Sequence, residues 1–165
     1  MIAEEEDFSV RCLIIVYSFH HKNTEKIAKR IASVLNAEVT TPQVMNPEEL
    51  QDYDLIGWGS GIYSARHHES LIDLAEQIPV VNGGNTFLFS TGAMTSKKKM
   101  NNDHALLREK LEEKGYTIID EFQCKGFNTN SFMRFFGGMN KGRPNEEDLS
   151  NAEKFARTLE EFFQS

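Results

Sequence analysis

Between an apolar run at residues 10–17 and a helical pattern that begins near Asn23 stand Ser18, Phe19, His20, His21, Lys22, Asn23 and Thr24. They fill the first strand-to-helix turn of the chain. A helix starting there offers free backbone N–H groups and the positive end of its dipole, and Ser18, Asn23 and Thr24 add neutral side-chain donors. That combination suits a phosphate. The same residues also suit an ordinary helix start, with Asn23 or Thr24 as a cap on a loop that binds nothing. The turn alone leaves both readings open, so the elements that would position it matter.

Residues 10–17 are almost wholly apolar, as a strand buried on both faces of a parallel sheet must be. The helix expected over residues 23–35 places Ile27, Ala28, Ile31, Ala32 and Leu35 on one face. A short second strand at residues 37–41 closes at Pro42, and Asn46-Pro47 opens a brief helical turn. The third strand, residues 53–59, leads into a loop at residues 60–65 and a helix burying Leu71, Leu74, Ala75 and Ile78. A fourth strand at residues 85–90 leads through Thr91-Gly92-Ala93 to a helix over residues 102–114, stopped by Gly115. The fifth strand covers residues 116–124. The last helix opens at Asn145 and turns Leu149, Ala152, Phe155, Ala156, Leu159, Phe162 and Phe163 inward.

Strands alternating with helices predict an α/β fold: a doubly wound, five-stranded parallel sheet in the order 2-1-3-4-5, with helices on both faces. In that order a crevice opens at the C-terminal ends of strands 1 and 3, where the loops after strands 1, 3 and 4 converge. The expected organisation is an acidic tail at residues 1–9 and one domain over residues 10–165.

Composition narrows the function classes. The chain has 165 residues, 39% of them hydrophobic, which is enough for a core without disulfides or metals. Its net charge of −7 argues against general nucleic-acid binding and favours basic partners. The longest apolar run is too short to span a bilayer and the N-terminus is acidic, so a cytoplasmic location with no transmembrane segment is expected. Cys12 and Cys124 lack the paired spacing of a zinc site or redox dithiol and read as small buried hydrophobes. Adjacent histidines, His20-His21 and His67-His68, rarely converge on one ion, so no metal is assigned. Lys97-Lys98-Lys99 reads as a solvated run, with an attraction for NADPH phosphate or an acidic partner as the alternative. No Ser-His-Asp order, Walker sequence or paired catalytic acids stands out.

The phosphate-type turn, Gly59-Ser60-Gly61-Ile62-Tyr63 and Ser90-Thr91-Gly92-Ala93 together resemble the three FMN-binding loops of flavodoxin-like proteins, over nearly the whole chain. The resemblance implies FMN as cofactor and low-potential electron transfer as function. It implies phosphate ligands at Ser18, Asn23 and Thr24, with contacts from His20, His21 and Lys22, because the loop is one residue longer than usual and lacks its Thr-Gly pair. It also implies Tyr63 as the ring that stacks on the flavin, Thr91 and Gly92 as backbone donors to it, and Ser60, Gly61, Ile62, Ser90 and Ala93 as the rest of the binding set. Gly61 has no Cβ, so its peptide can turn a carbonyl toward the flavin. The cofactor carries the redox step, and no catalytic residue is assigned.

The loop after strand 4 lacks the aromatic that many flavodoxins lay on the outer flavin face. The stretch 125–144 is long for a connection and carries Phe127, Phe132, Phe135 and Phe136 beside Lys125, Arg134, Lys141 and Arg143. It reads as a cover for the flavin or a receiver for a flat anion, or else as core packing or a homodimer contact. The partner is expected to be a redox protein or a small electron donor or acceptor. An alternative is an FMN-dependent oxidoreductase using quinone or NAD(P)H, since residues 63–68 resemble the corresponding loop of menaquinone-dependent protoporphyrinogen dehydrogenases. Arg66 and Arg134 would then hold propionates. A weaker alternative is a cofactor-free partner-binding module.

Overall fold

The computed structural model describes residues 9–19, 21–127 and 137–165. Most of the expected acidic tail, His20, and the stretch containing Phe132, Arg134, Phe135 and Phe136 lie outside the described residues. In chain order come β1 (Cys12–Tyr17), α1 (Asn23–Leu35), β2 (Glu38–Thr40) and a 3-10 turn (Pro47–Asp52). Next are β3 (Leu55–Tyr63), β4 (Arg66–His67), α2 (Glu69–Gln77), β5 (Gly84–Gly92) and α3 (Lys97–Glu113). The chain closes with β6 (Tyr116–Lys125) and α4 (Glu146–Gln164).

The sheet runs β2-β1-β3-β5-β6, all parallel. This is the expected strand order, with one two-residue strand added: β4 folds back antiparallel on the end of β3, pairing Ile62 with His67 and Tyr63 with Arg66. Alternation along β1 sends Cys12, Ile14 and Val16 to a core under α1 and α4, and Leu13 and Ile15 to a second core under α2 and α3. Two apolar faces explain the apolar runs. Among the described residues no helix is long and apolar enough to cross a membrane.

Boundaries differ from the expectation at the ends of β3 and β5 and at the start of α3. β3 continues through Tyr63 and β5 through Gly92, so Ser60 to Tyr63, and Thr91 and Gly92, are strand rather than loop. Helix α3 starts at Lys97 rather than Asn102. Ser96 caps it by accepting from the Lys99 N–H at 3.0 Å, and the Lys99 ammonium reaches the buried Asp103 one turn on, at 2.7 and 2.8 Å. Three lysines at the positive end of a helix oppose its dipole, which hides the start from a sequence reading. Lys99 is therefore not part of a solvated run. On α4, Asn145 and Asp148 form a reciprocal capping box, while Phe162 is 48% exposed rather than turned inward. Burial pushes the thiols of Cys12 and Cys124 up to about 12, so both behave as inert core residues.

Gly57 and Gly59 alternate along β3 with Ile56 and Trp58. Trp58 and Ile56 fill the α2–α3 core, and on the opposite face the rings of Phe87 and Phe89 from β5 lie where the glycines would carry side chains. A Cβ at Gly59 would stand 2.1 Å from the Phe89 Cζ and 2.2 Å from its Cε2, well inside contact distance. The Gly59→Ala protein is therefore expected to lose about 1–3 kcal/mol from forced repacking. A urea midpoint equal to that of the parent would show that the ring yields freely.

Candidate functional site

At the C-terminal ends of β1, β3 and β5 a cleft opens. Ser18, Asn23 and Thr24 line it from the β1–α1 turn, Gly61, Ile62 and Tyr63 from β3, and Thr91, Gly92 and Ala93 from β5. Nine of the residues singled out from the sequence thus share one cavity. His21 and Lys22 sit on the turn beside it in the left-handed region, at φ 55° and 56°. Ser60 and Ser90 do not line the cleft; both are fully buried beneath it.

The floor is tied together across elements. The Thr24 and Thr91 hydroxyls meet at 2.8 Å, and the Asn23 amide donates to the Phe127 carbonyl at 2.8 Å. The Asn23 Oδ1 is buried, with no hydrogen-bond partner among the described residues. Phe19, Gly126 and Phe127 complete the lining. A Cβ at Gly126 would stand 2.8 Å from the Asn23 amide nitrogen and 3.2 Å from the Thr91 Cβ, so a larger residue there would displace the Asn23 side chain. Its N–H donates to the Gly92 carbonyl at 3.0 Å, and Asn140 donates to the Ala93 carbonyl at 2.7 Å. Position 126 carries little local signal in the sequence. Phe127 is the one ring of the expected aromatic cover that the described residues place at the cleft, and it lies 4.4 Å from the His21 ring.

Helix α1 begins differently from the others. His68, Ser96 and Asn145 cap α2, α3 and α4 with their side chains, whereas α1 starts after Lys22 with no side-chain cap. Neither Asn23 nor Thr24 serves as its N-cap. Among the described residues its first N–H groups therefore lack the side-chain N-cap acceptor that the other helices have.

Tyr63 leans over Gly61, its hydroxyl 3.3 Å from where a Gly61 Cβ would stand. It ends β3 at a two-residue hairpin in which Ser64 and Ala65 both have positive φ, 52° and 58°. That conformation favours Asn-Gly. Beyond the turn, His68 stacks on Tyr17 at 3.7 Å and takes the edge of Tyr63 at 5.2 Å. Tyr17, Phe19, Tyr63, Arg66 and His68 bound a second recess beside the first. Burial holds the His68 imidazole below its ordinary pKa and raises the Tyr63 phenol. The histidine pair of residues 67 and 68 splits, because only His67 points inward. Among the described residues no three His, Cys, Asp or Glu groups gather as metal ligands.

Beneath the cleft lies a polar layer that the sequence did not announce. Ser60 bonds His67 Nδ1 at 2.9 Å, and Ser90 bonds His104 Nε2 at 2.7 Å. The two imidazoles are 4.7 Å apart. His104 Nδ1 reaches Glu121 at 3.0 Å, and Arg108 holds the same carboxylate at 2.8 and 2.9 Å. Burial pulls the Glu121 pKa up, but the bonds from His104 and Arg108 outweigh it and hold the group below its ordinary value.

The match to known proteins covers most of the chain. A family model described as a flavodoxin domain matches residues 14–138. An uncharacterized protein of Methanocaldococcus jannaschii is 44% identical over 150 residues, which is 91% of this chain and 98% of that protein. Among solved structures, oxidised Flavodoxin 2 from Bacillus cereus superposes with a TM-score of 0.68 at 23% identity, covering 92% of this chain and 98% of that one. A flavodoxin from the domain Archaea superposes with a TM-score of 0.60 at 17% identity, covering 93% and 99%. These two likenesses establish the fold.

Two outcomes are expected. Replacing Ser64-Ala65 by Asn-Gly should relieve the hairpin and raise stability by about 0.5–2 kcal/mol, read as a higher urea midpoint at unchanged slope. Because the folded pKa of Glu121 is depressed, its stabilisation is complete above the unfolded value near 4.3 and is lost as pH falls through the folded value. Glu121→Gln should flatten the acid limb of a stability-versus-pH curve below about pH 4; an unchanged limb would place the acid sensitivity elsewhere.

Proposed function

Since the chain belongs to the flavodoxin family, whose cofactor is FMN, we propose that the cleft seats FMN and that the protein works as a low-potential electron carrier. The single observation that carries the reading is the donor set at the cleft floor. An uncapped helix start, the Ser18 hydroxyl and the Asn23 and Thr24 side chains converge there, and no acidic residue is among the described lining. A phosphate dianion fits such a set. The unpartnered Asn23 Oδ1 suits a hydroxyl donor, which a ribityl chain provides.

Each group then has a task. The turn from Ser18 to Thr24, including His20, His21 and Lys22, holds the phosphate by backbone and side-chain donors. Tyr63 provides an aromatic face, and Thr91, Gly92 and Ala93 offer backbone groups to a polar ring edge. Phe127 closes the side near the phosphate and helps exclude water. When bound, FMN supplies one- and two-electron transfer, and the protein sets its energy through charge and hydrogen bonding. A net charge of −7 makes added negative charge in the cleft costlier and so lowers the potential. Phe19 and Met94, 68% and 62% exposed, stand near the cleft, where a redox protein or a small donor or acceptor would approach. The place of action is the cytoplasm, as a monomer or homodimer.

The recess bounded by Tyr17, Tyr63, Arg66 and His68 favours a second reading, an FMN-dependent oxidoreductase acting on quinone or NAD(P)H. Aromatic walls with one arginine suit a flat, anionic molecule next to the flavin.

Titrating the apoprotein with FMN should quench flavin fluorescence at one equivalent, and Thr24→Glu should weaken binding at least about tenfold by placing a carboxylate among the phosphate donors. Absence of quenching at saturating FMN would overturn the reading. Steady turnover of NAD(P)H with a quinone by the loaded protein would select the oxidoreductase, and its absence the carrier.

A further inference from the structure

The Ser60 hydroxyl has more neighbours than one O–H can donate to. Its oxygen lies 2.7 Å from the Gly61 carbonyl, 2.9 Å from His67 Nδ1 and 3.0 Å from the His68 N–H. A backbone N–H only donates, so one lone pair goes to His68, and the single Ser60 proton goes either to the Gly61 carbonyl or to a bare His67 Nδ1. All three contacts are satisfied at once by one arrangement: the Ser60 proton on Gly61 and the His67 proton on Nδ1.

The other ring nitrogen agrees with that assignment. His67 Nε2 is buried, with no hydrogen-bond partner among the described residues. Its neighbour His104 has both nitrogens engaged, by Ser90 from β5 and Glu121 from β6, and Arg108 from α3 takes the same Glu121 carboxylate. No carboxylate is left for His67 among the groups packed on it from α3, β5 and β6. Burial first, then the neighbouring His104 and Arg108, keep its pKa well below the ordinary imidazole value. The ring is neutral and has one proton to place.

We propose that His67 is a positioning residue: by donating from Nδ1 to Ser60 it keeps the Ser60 proton on the Gly61 carbonyl, and so keeps that carbonyl engaged within the protein at the cleft wall. A trans peptide points its C=O and N–H to opposite sides, so binding the carbonyl at Ser60 leaves the Ile62 N–H directed away from that hydroxyl. Gly61 and Ile62 both line the cleft. With the proton on Nε2 instead, the bare Nδ1 would compete for the Ser60 hydroxyl and release the carbonyl. The consequence for a flavin rests on the FMN reading above; the tautomer and the held carbonyl do not.

The experiment separates the two. In protein labelled with 15N-histidine and 13C-glycine and kept free of FMN, long-range 1H–15N spectra should show His67 neutral and protonated at Nδ1 from pH 7.5 to pH 5. An Nε2–H or doubly protonated ring at pH 7 would overturn the proposal. Ser60→Ala should move the Gly61 carbonyl resonance upfield as its hydrogen bond is lost, and an unmoved resonance would also overturn it. Ser60→Ala and His67→Leu should then change FMN affinity in the same direction, by roughly two- to tenfold each. The double variant should do no more than the larger single change. His67→Asn, whose amide nitrogen occupies the place of Nδ1, should restore affinity to within about twofold. Additive changes, or a His67→Asn protein that behaves as His67→Leu, would count against it. Should His67→Leu fail to fold, the tautomer and the Ser60→Ala carbonyl shift still decide. If the parent protein does not bind FMN, the functional reading falls while those two spectra still judge His67.

Discussion

Ser60 and Ser90 stand in register across β3 and β5, each fully buried and each bonded to a buried histidine. A hydroxyl withdrawn from water costs free energy unless it is paired, so these two positions dictate what surrounds them. The hairpin that returns β4 onto β3 brings His67 to the first serine, and α3 brings His104 to the second. Glu121 and Gln123 on β6 close the layer, since Gln123 donates to Ser90 at 3.1 Å and to Asp103 at 3.0 Å. Three secondary-structure elements are thereby fixed against the strand ends that form the cleft wall. The site is held from below.

The opposite treatment applies at α1. Where the other helices spend a side chain on their own first turn, this one has no side-chain cap among the described residues and uses Asn23 and Thr24 to reach Phe127 and Thr91. The β1–α1 turn is consequently tied to the ends of β5 and β6. A ligand seated there completes a helix start and joins three strand ends in one step, which couples binding to order at that end of the sheet.

Most of the architecture was legible because it follows from periodicity. A strand apolar on both faces reads unambiguously in β1, and α1 matched its expected bounds because its stripe from Ile27 to Leu35 is regular. The misread boundaries share a physical cause, namely that local signals were overridden by tertiary partners. Ser60 to Tyr63 looks like a loop by composition, yet pairing with β5 and then β4 makes it strand. Lysines 97–99 look solvated, yet Asp103 draws Lys99 into the helix. Nine of the expected cleft residues share the cavity because the loops were placed by topology, whereas Gly126 and the His67–His104 layer depend on contacts between segments far apart in sequence. Such contacts leave no spacing to read.

Phe87 and Phe89 resting on Gly57 and Gly59 have a consequence for how such a chain drifts over generations. Each ring and the bare backbone beneath it share one volume, so enlarging the glycine is harmful until the aromatic has already shrunk, and shrinking the aromatic first opens a void. Neither single step is easy. The four positions should therefore be inherited as two linked pairs, with compensating replacements arriving together in descendants that have left this arrangement.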